Sequence, residues 1–268
     1  MNGTIDLQAE SIYRGSLILV NREYEYRERA EDLAVQLSAA GREMTVRTLL
    51  QRRAALLLDS LMEVIGGWRE IVPVSGWRSY REQKAIWEES LAESGREFTE
   101  KYVALPGHSE HQTGLAIDLG KRQEEIDFIR PDFPYTGICQ SFRKKAAEYG
   151  FIERYPAGKE EITGIGHEPW HFRYVGIPHA RIMQEKEMTL EEYISFIRQF
   201  PYGEAAYCVR EGGREIEVSY LKAKEGCTRL ELDPRVPYAV SGNNVDGFIL
   251  TQWKNGQSGG QSRRYGEV

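Results

Sequence analysis

Two short blocks concentrate the groups able to do chemistry. Ser109-Glu110-His111-Gln112-Thr113-Gly114-Leu115-Ala116-Ile117-Asp118 carries an imidazole and a carboxylate, and Gly166-His167-Glu168-Pro169-Trp170-His171-Phe172 sets a second carboxylate beside another imidazole. A hydrolytic zinc takes three protein ligands, from His nitrogen and carboxylate oxygen, and keeps one position for water. His111, Asp118 and His171 supply such a set. Ligands drawn from separate strands and loops need no short regular spacing, so the fold must bring them together. Glu168, three residues ahead of His171, would lie near the metal without being spent as a ligand. There it could take a proton and pass it to a leaving amine. Asp118 could instead cap a turn, but an acid on an otherwise apolar strand needs a partner, and a metal is one. The charge that develops on a scissile carbonyl needs a donor as well. Arg78, in Ser75-Gly76-Trp77-Arg78-Ser79-Tyr80, is permanently charged and can donate two bonds at once.

These residues need elements to hold them. Leu17–Asn21 reads as a short strand, Ala30–Ala40 as a helix, and Val46–Ile65 as a better helix. In the last, Leu49, Leu50, Leu57, Leu58, Leu61, Met62 and Ile65 recur at helical spacing before Gly66-Gly67 stops it. Ile71–Ser75 predicts a strand running into the Arg78 segment, and Tyr80–Ala92 a helix. Gly114–Leu119 has the small and apolar pattern of a buried strand around Asp118. Phe142–Tyr149 is helical up to Gly150, and Trp170–Val175 is β-branched and aromatic enough to be a strand carrying His171. Helices first and antiparallel-type strands after them point to an α+β fold.

Composition shifts after Pro178. Thr189–Phe200 is an amphipathic helix with Thr189 as candidate N-cap and Glu192 three residues on. Ala205–Val209 and Ile216–Leu221 flank Glu211-Gly212-Gly213-Arg214, a hairpin signal, and Cys227–Leu232 and Phe248–Trp253 add strands. The expected division is a catalytic domain over 1–185, a helix plus β-rich accessory domain over 186–255, and a disordered tail over 256–268, rich in Gly, Ser, Gln and Arg.

The 268 residues are 41% hydrophobic and 28% charged, with a formal net charge of -6. That composition supports a packed core and argues against a nucleic-acid partner, which needs a basic excess. The local basic clusters Arg52-Arg53 and Arg143-Lys144-Lys145 read as solvated helix faces. Cys139, Cys208 and Cys227 share no CxxC spacing, so neither a disulfide framework nor a thiolate metal site is expected. Leu17-Ile18-Leu19-Val20 is too short for a signal or membrane segment, so no membrane anchor is expected and the chain is read as cytoplasmic.

Ser-x-His-x-x-Gly-x-Ala-x-Asp, followed by Glu-x-x-His and preceded by Ser-Gly-x-Arg-Ser, resembles the D-alanyl-D-alanine metallopeptidases of the vancomycin-resistance type, the VanY carboxypeptidases and bifunctional VanXY enzymes. The resemblance spans roughly residues 15 to 180. It implies a central antiparallel sheet flanked by helices, and one Zn2+ per chain on His111, Asp118 and His171. It further implies Glu168 as general base and acid, Arg78 on the substrate carbonyl, and Gln83 and Ser109 lining the substrate pocket. His108 and His167 match no ligand position and are expected at the pocket rim or in support of the ligands. His179 is expected in a loop or at the surface. The implied substrates are the D-Ala-D-Ala dipeptide and the D-Ala-D-Ala-terminated pentapeptide precursor, and removing either depletes the termini that vancomycin binds. Lack of an anchor favours the bifunctional type. A carboxypeptidase alone, a wall-remodelling endopeptidase and a non-catalytic zinc-containing wall-peptide binding module remain open, although an intact Glu168 argues against the last. The sequence leaves oligomeric state undetermined.

Overall fold

A computed structural model describes residues 3–27, 37–40, 48–211 and 213–255. The chain begins with strand β1 (Gly3–Gln8). β2 (Leu37–Ala40) and β3 (Thr48–Gln51) form an antiparallel pair with Leu37 opposite Gln51. Helix α1 (Arg52–Ile65) follows at once, burying Ala54, Ala55, Leu58, Leu61 and Met62 along one face and ending at the left-handed Gly66. Next come β4 (Ile71–Ser75), α2 (Tyr80–Tyr102), β5 (Ala116–Lys121) and α3 (Gly137–Ala146). β6 (Phe151–Tyr155), α4 (Glu160–Thr163), β7 (Glu168–Tyr174) and α5 (His179–Glu185) complete this part. α6 (Leu190–Ile197) leads into β8 (Tyr207–Glu211), β9 (Arg214–Lys222), β10 (Cys227–Leu232), β11 (Tyr238–Gly242) and β12 (Gly247–Asn255).

Contacts divide the chain into two units, one from Val20 to Leu190 and the other combining the residues up to Leu19 with those from Glu191. In the first unit β4, β5, β7 and β6 form an antiparallel sheet in that order. Pro73, which cannot donate to a ladder, sits in the edge strand β4. Phe133, Phe142 and Phe172 pack edge to face beneath the sheet, with centroids 4.8–5.8 Å apart. The fold is α+β, as the element pattern predicts.

In the second unit β11, β12, β9 and β8 form one antiparallel sheet and β1 pairs with β10. Leu230, Leu232 and Leu250 form its core with Ile5 and Leu7 of β1. The described residues from Gly3 to Leu19 thus group with the C-terminal unit rather than with the domain expected over 1–185. Period-2 burial along Gly3–Gln8 is the pattern that would have shown this strand; its partner lies more than two hundred positions away. The hairpin signal holds, with Glu211 opposite Arg214.

Local pattern misleads in other places. Leu17–Val20 is buried but forms no strand: the Leu17 N–H goes to Ser241 Oγ and the Leu19 N–H to the Asn243 carbonyl. Thr48–Gln51 is strand, not the start of a helix, because Leu50 and Thr48 turn inward in alternation. The helix expected over Ala30–Ala40 ends in β2, and its earlier part lies outside the described residues, as does the tail from 256. Arg143 is buried rather than solvated: its guanidinium donates to Glu153 and to the carbonyls of Phe133, Pro134 and Pro169. All three cysteines are free. Among the described residues no helix is long and apolar enough to cross a membrane.

His179, expected in a loop or at the surface, is buried on α5, and burial pushes its pKa down to about 3. The unfolded chain takes up this proton near pH 6.5, while the folded chain refuses it. Stability is therefore whole above pH 6.5 and falls as pH drops toward 3, by on the order of 5 kcal/mol at the acid end. His179→Gln is expected to flatten the pH dependence of urea unfolding between pH 6.5 and 4. An unchanged slope would remove His179 as its source.

Candidate metal and active site

Cross-strand pairing starts the site. Asp118 on β5 is the direct partner of His171 on β7, so both side chains stand on one face of the sheet. His171 Nδ1 lies 3.0 Å from Asp118 Oδ1, and His111 Nε2 lies 3.0 Å from Asp118 Oδ2. The two imidazoles meet edge to face at 4.9 Å. All three residues are buried, and one ligand atom from each lies within 4.8 Å of the others.

His111 reaches this position from a 3₁₀ turn over Glu110–Thr113. Gly114 ends the turn at φ 68 and returns its N–H to the His111 carbonyl at 3.1 Å, while its own carbonyl accepts from Gln51 N at 2.7 Å. His111 Nδ1 is hydrogen-bonded to the Gly76 carbonyl at 2.8 Å, which leaves Nε2 for the centre of the site. Gly76 can do this only as glycine, because a Cβ there would stand 2.5 Å from the Leu49 carbonyl oxygen.

A bulge re-aims β4: Pro73 opposes Leu119 and Ser75 opposes Asp118, so Val74 is the extra residue. The chain then turns Arg78 inward, with its N–H 3.3 Å from the His111 carbonyl. One guanidinium nitrogen is 3.7 Å from Asp118 Oδ2, and Nε is buried with no hydrogen-bond partner. A Ser79–Glu82 capping box opens α2 immediately afterwards. One turn on, Gln83 is buried; its Nε2 donates to the Ala104 carbonyl at 2.7 Å and its Oε1 has no partner. Ser109, Gln83 and Arg78 all line the pocket that His111, Asp118, Glu168 and His171 border.

Glu168 and His171 are separated by three positions, which on a regular strand would place them on opposite faces. The β6–β7 register is irregular here: Glu153 opposes Phe172 while Tyr155 opposes Glu168, so β7 spends two more residues than β6 on the same stretch. Within this irregular stretch Glu168 Oε2 lies 3.5 Å from His171 Nδ1. Arg143 donates to the Pro169 carbonyl within this irregular stretch.

The charges are strongly perturbed. Burial would raise the Asp118 carboxyl, but His111 and His171 outweigh it and hold it far below the usual range. Burial pushes His111 down to about 4, helped by Arg78. His171 moves the other way, to about 9, because Asp118 overcomes its burial. Glu168 is pushed up to about 8 by burial, with Asp118 adding to the shift.

Every candidate from the sequence is therefore in one place: His111, Asp118, His171, Glu168, Arg78, Gln83 and Ser109 share one pocket. His108 and His167 do not line it. His108 Nδ1 is bonded to the Asn21 carbonyl, and His167 meets Tyr135 and Glu153. What sequence reasoning missed is Glu110, which is 1% exposed and takes hydrogen bonds from Arg154 and Arg173, both 0% exposed. A signal existed. Arg154 and Arg173 sit among apolar and aromatic strand residues, and buried cations require a carboxylate nearby.

An α+β fold with two imidazoles and a carboxylate converging beside a second carboxylate and a guanidinium is that of a metallopeptidase. Residues 48–177 match the family described as VanY: D-alanyl-D-alanine carboxypeptidase. The bifunctional D-Ala-D-Ala dipeptidase and D-Ala-D-Ala carboxypeptidase VanXYC of Enterococcus gallinarum is 47% identical over 151 residues, 56% of this chain and 80% of the relative. A D-alanyl-D-alanine carboxypeptidase of Enterococcus faecium is 32% identical over 251 residues, 90% of this chain and 76% of that one. Among solved structures, the vancomycin resistance D,D-dipeptidase VanXYg in complex with a D-Ala-D-Ala phosphinate analog superposes with a TM-score of 0.89 at 49% identity, covering 95% of this chain and 100% of that one. A D,D-pentapeptidase VanY variant in complex with Zn(II) gives 0.53 at 31% identity, over 67% of this chain and 98% of its own. The chain belongs to the VanY family of D-alanyl-D-alanine carboxypeptidases.

Proposed function

We propose that this chain hydrolyses D-Ala-D-Ala termini of peptidoglycan precursors with one zinc held by His111 Nε2, Asp118 and His171 Nδ1, acting on both the dipeptide and the pentapeptide. The observation that carries the reading is the buried His111–Asp118–His171 cluster with Glu168 and Arg78 on the same pocket wall. The donor set suits zinc: two imidazoles and a carboxylate, with Asp118 Oδ1 buried, 3.0 Å from His171 Nδ1 and without a hydrogen bond of conventional geometry. Zinc there would supply a Lewis acid for the scissile carbonyl, a water of lowered pKa and a positive charge that favours the Glu168 carboxylate.

The side chains account for the remaining steps. Glu168 takes a proton from the attacking water and delivers it to the departing amine nitrogen as the C–N bond breaks. Arg78, with Nε unpaired in the pocket, donates to the carbonyl oxygen as negative charge develops there. Gln83 Oε1, its amide nitrogen committed to Ala104, accepts from a substrate N–H, and Ser109 lines the same wall. A neutral acceptor serves an ammonium or a peptide amide, which suits a catalyst that takes both substrates.

The test is D-Ala release from D-Ala-D-Ala, UDP-muramyl-pentapeptide and cross-linked muropeptide, with and without chelator. Turnover of the first two that disappears with chelator is expected. Absence of turnover on all three by zinc-loaded protein would refute the enzyme reading, and cleavage of the pentapeptide alone would reduce it to a carboxypeptidase.

Metal uptake should be proton-linked. His171 near 9 is an imidazolium at neutral pH, whereas His111 near 4 is a neutral imidazole. Zinc must displace the Nδ1 proton of the His171 imidazolium, so affinity rises with pH toward 9 and falls by about tenfold per unit below it for each proton displaced. Calorimetry at pH 7 in buffers of different ionisation enthalpy should register at least one proton released per zinc. An affinity unchanged between pH 6 and 8 would contradict this.

A further inference from the structure

We propose that Glu110 is the positioning residue of this centre: its Oε2 holds the proton of His171 on Nε2 and so keeps the Nδ1 lone pair turned toward the metal. The inference rests on the metal-site reading above. Two buried atoms carry it. Glu110 Oε2 and His171 Nε2 both lack a conventional hydrogen-bond partner among the described residues, and they face each other at 3.6 Å. Both atoms are enclosed, in residues 1% and 4% exposed, and two such groups left unmatched would each be costly.

The rest of the carboxylate has no freedom to turn away. Glu110 Oε1 accepts from Arg154 Nε at 2.8 Å and from Arg173 NH1 at 2.7 Å. Arg154 lies on β6 and Arg173 on β7, two positions beyond His171. One oxygen is therefore tied to two adjacent strands of the sheet, and the other is aimed at the imidazole. Glu110 also adjoins His111 in the 3₁₀ turn, so one residue couples the loop that presents one imidazole to the strand that presents the other. The opposite ring edge of His171 already points inward, with Nδ1 3.0 Å from Asp118. Tyr155 packs against the ring at 4.8 Å.

Only one tautomer suits both neighbours. A proton on Nε2 meets the carboxylate acceptor and leaves Nδ1 as a ligand; a proton on Nδ1 would occupy the ligand position and leave Nε2 facing Glu110 lone pair to lone pair. Arg154 and Arg173 fix which oxygen does this and keep it in place.

Glu110→Gln separates this role from simple burial. The two guanidiniums retain the side-chain oxygen, so the new amide NH2 faces Nε2, donor against donor, and drives the ring proton to Nδ1. Zinc affinity by chelator competition is expected to fall about 10- to 100-fold, while the metal-free variant still unfolds cooperatively. In zinc-loaded wild type, 15N spectra of His171 should show a protonated Nε2 and a metal-bound Nδ1. Wild-type affinity in a folded Glu110→Gln protein, or His171 bound through Nε2 in the wild type, would overturn the proposal. If the variant does not fold, the wild-type spectrum alone decides it. His171→Ala tests the underlying site separately: zinc retained at full affinity there would refute the metal-site reading itself, whereas zinc lost there but unaffected in Glu110→Gln would refute only the role of Glu110.

Discussion

Glu168→Ala is expected to lower kcat by about 10²–10⁴-fold while zinc stoichiometry and affinity stay near those of the wild type. The size follows from removing a positioned proton carrier, and the selectivity follows from geometry. Glu168 Oε2 lies 3.5 Å from His171 Nδ1, whereas each imidazole has a nitrogen 3.0 Å from an Asp118 oxygen. The carboxyl also differs from Asp118 in charge state. Burial pushes Glu168 up to about 8, but the imidazoles hold Asp118 far below the normal range. A group poised near neutrality suits proton transfer, and one locked as an anion suits coordination. Metal analysis of the purified variant alongside D-Ala release decides the matter. Zinc lost with activity would make Glu168 a ligand and leave the base unassigned.

Asp118→Asn should instead remove metal and turnover together. The substitution keeps the shape of the side chain but removes the anion to which His111, His171 and Arg78 are all directed. Its effect on zinc affinity is expected to exceed the loss of about 10- to 100-fold usual for partners that only orient a ligand. Arg78 would also lose a counter-charge while remaining largely buried, so a lower unfolding midpoint should accompany the loss. The same assays apply, with added zinc at increasing concentration. Activity restored only at high zinc supports the ligand role; wild-type affinity would exclude it.

Much of the site was legible before any coordinates. Two imidazoles and two carboxylates gathered in two short blocks marked His111, Asp118, Glu168 and His171 as candidates, and the Ser-Gly-x-Arg-Ser block marked Arg78. Strands β5 and β7 were legible for a related reason: a buried strand around Asp118 and an aromatic strand around His171 must each satisfy a local period. The failures share a cause too. Thr48–Gln51 continues a helical spacing into α1, yet pairs with β2 because alternate side chains find a core there. β1 belongs with β10 because burial of Ile5 and Leu7 depends on Leu230 and Leu232, which no local window contains.

The sequence by itself determined the chemistry: which groups can bind a metal, which can carry a proton, and in what order along the chain they occur. Tertiary structure alone decided the register. Asp118 meets His171 because β5 and β7 pair at those two residues, and Glu168 lies beside His171 where the β6–β7 register breaks. It also decided that Glu110 would serve two buried arginines and an imidazole instead of solvent. The physical reason is one of range. Residue type and local period are written position by position, whereas pairing, bulges and the partners of buried charges are set by the lowest free energy of the whole packed sheet.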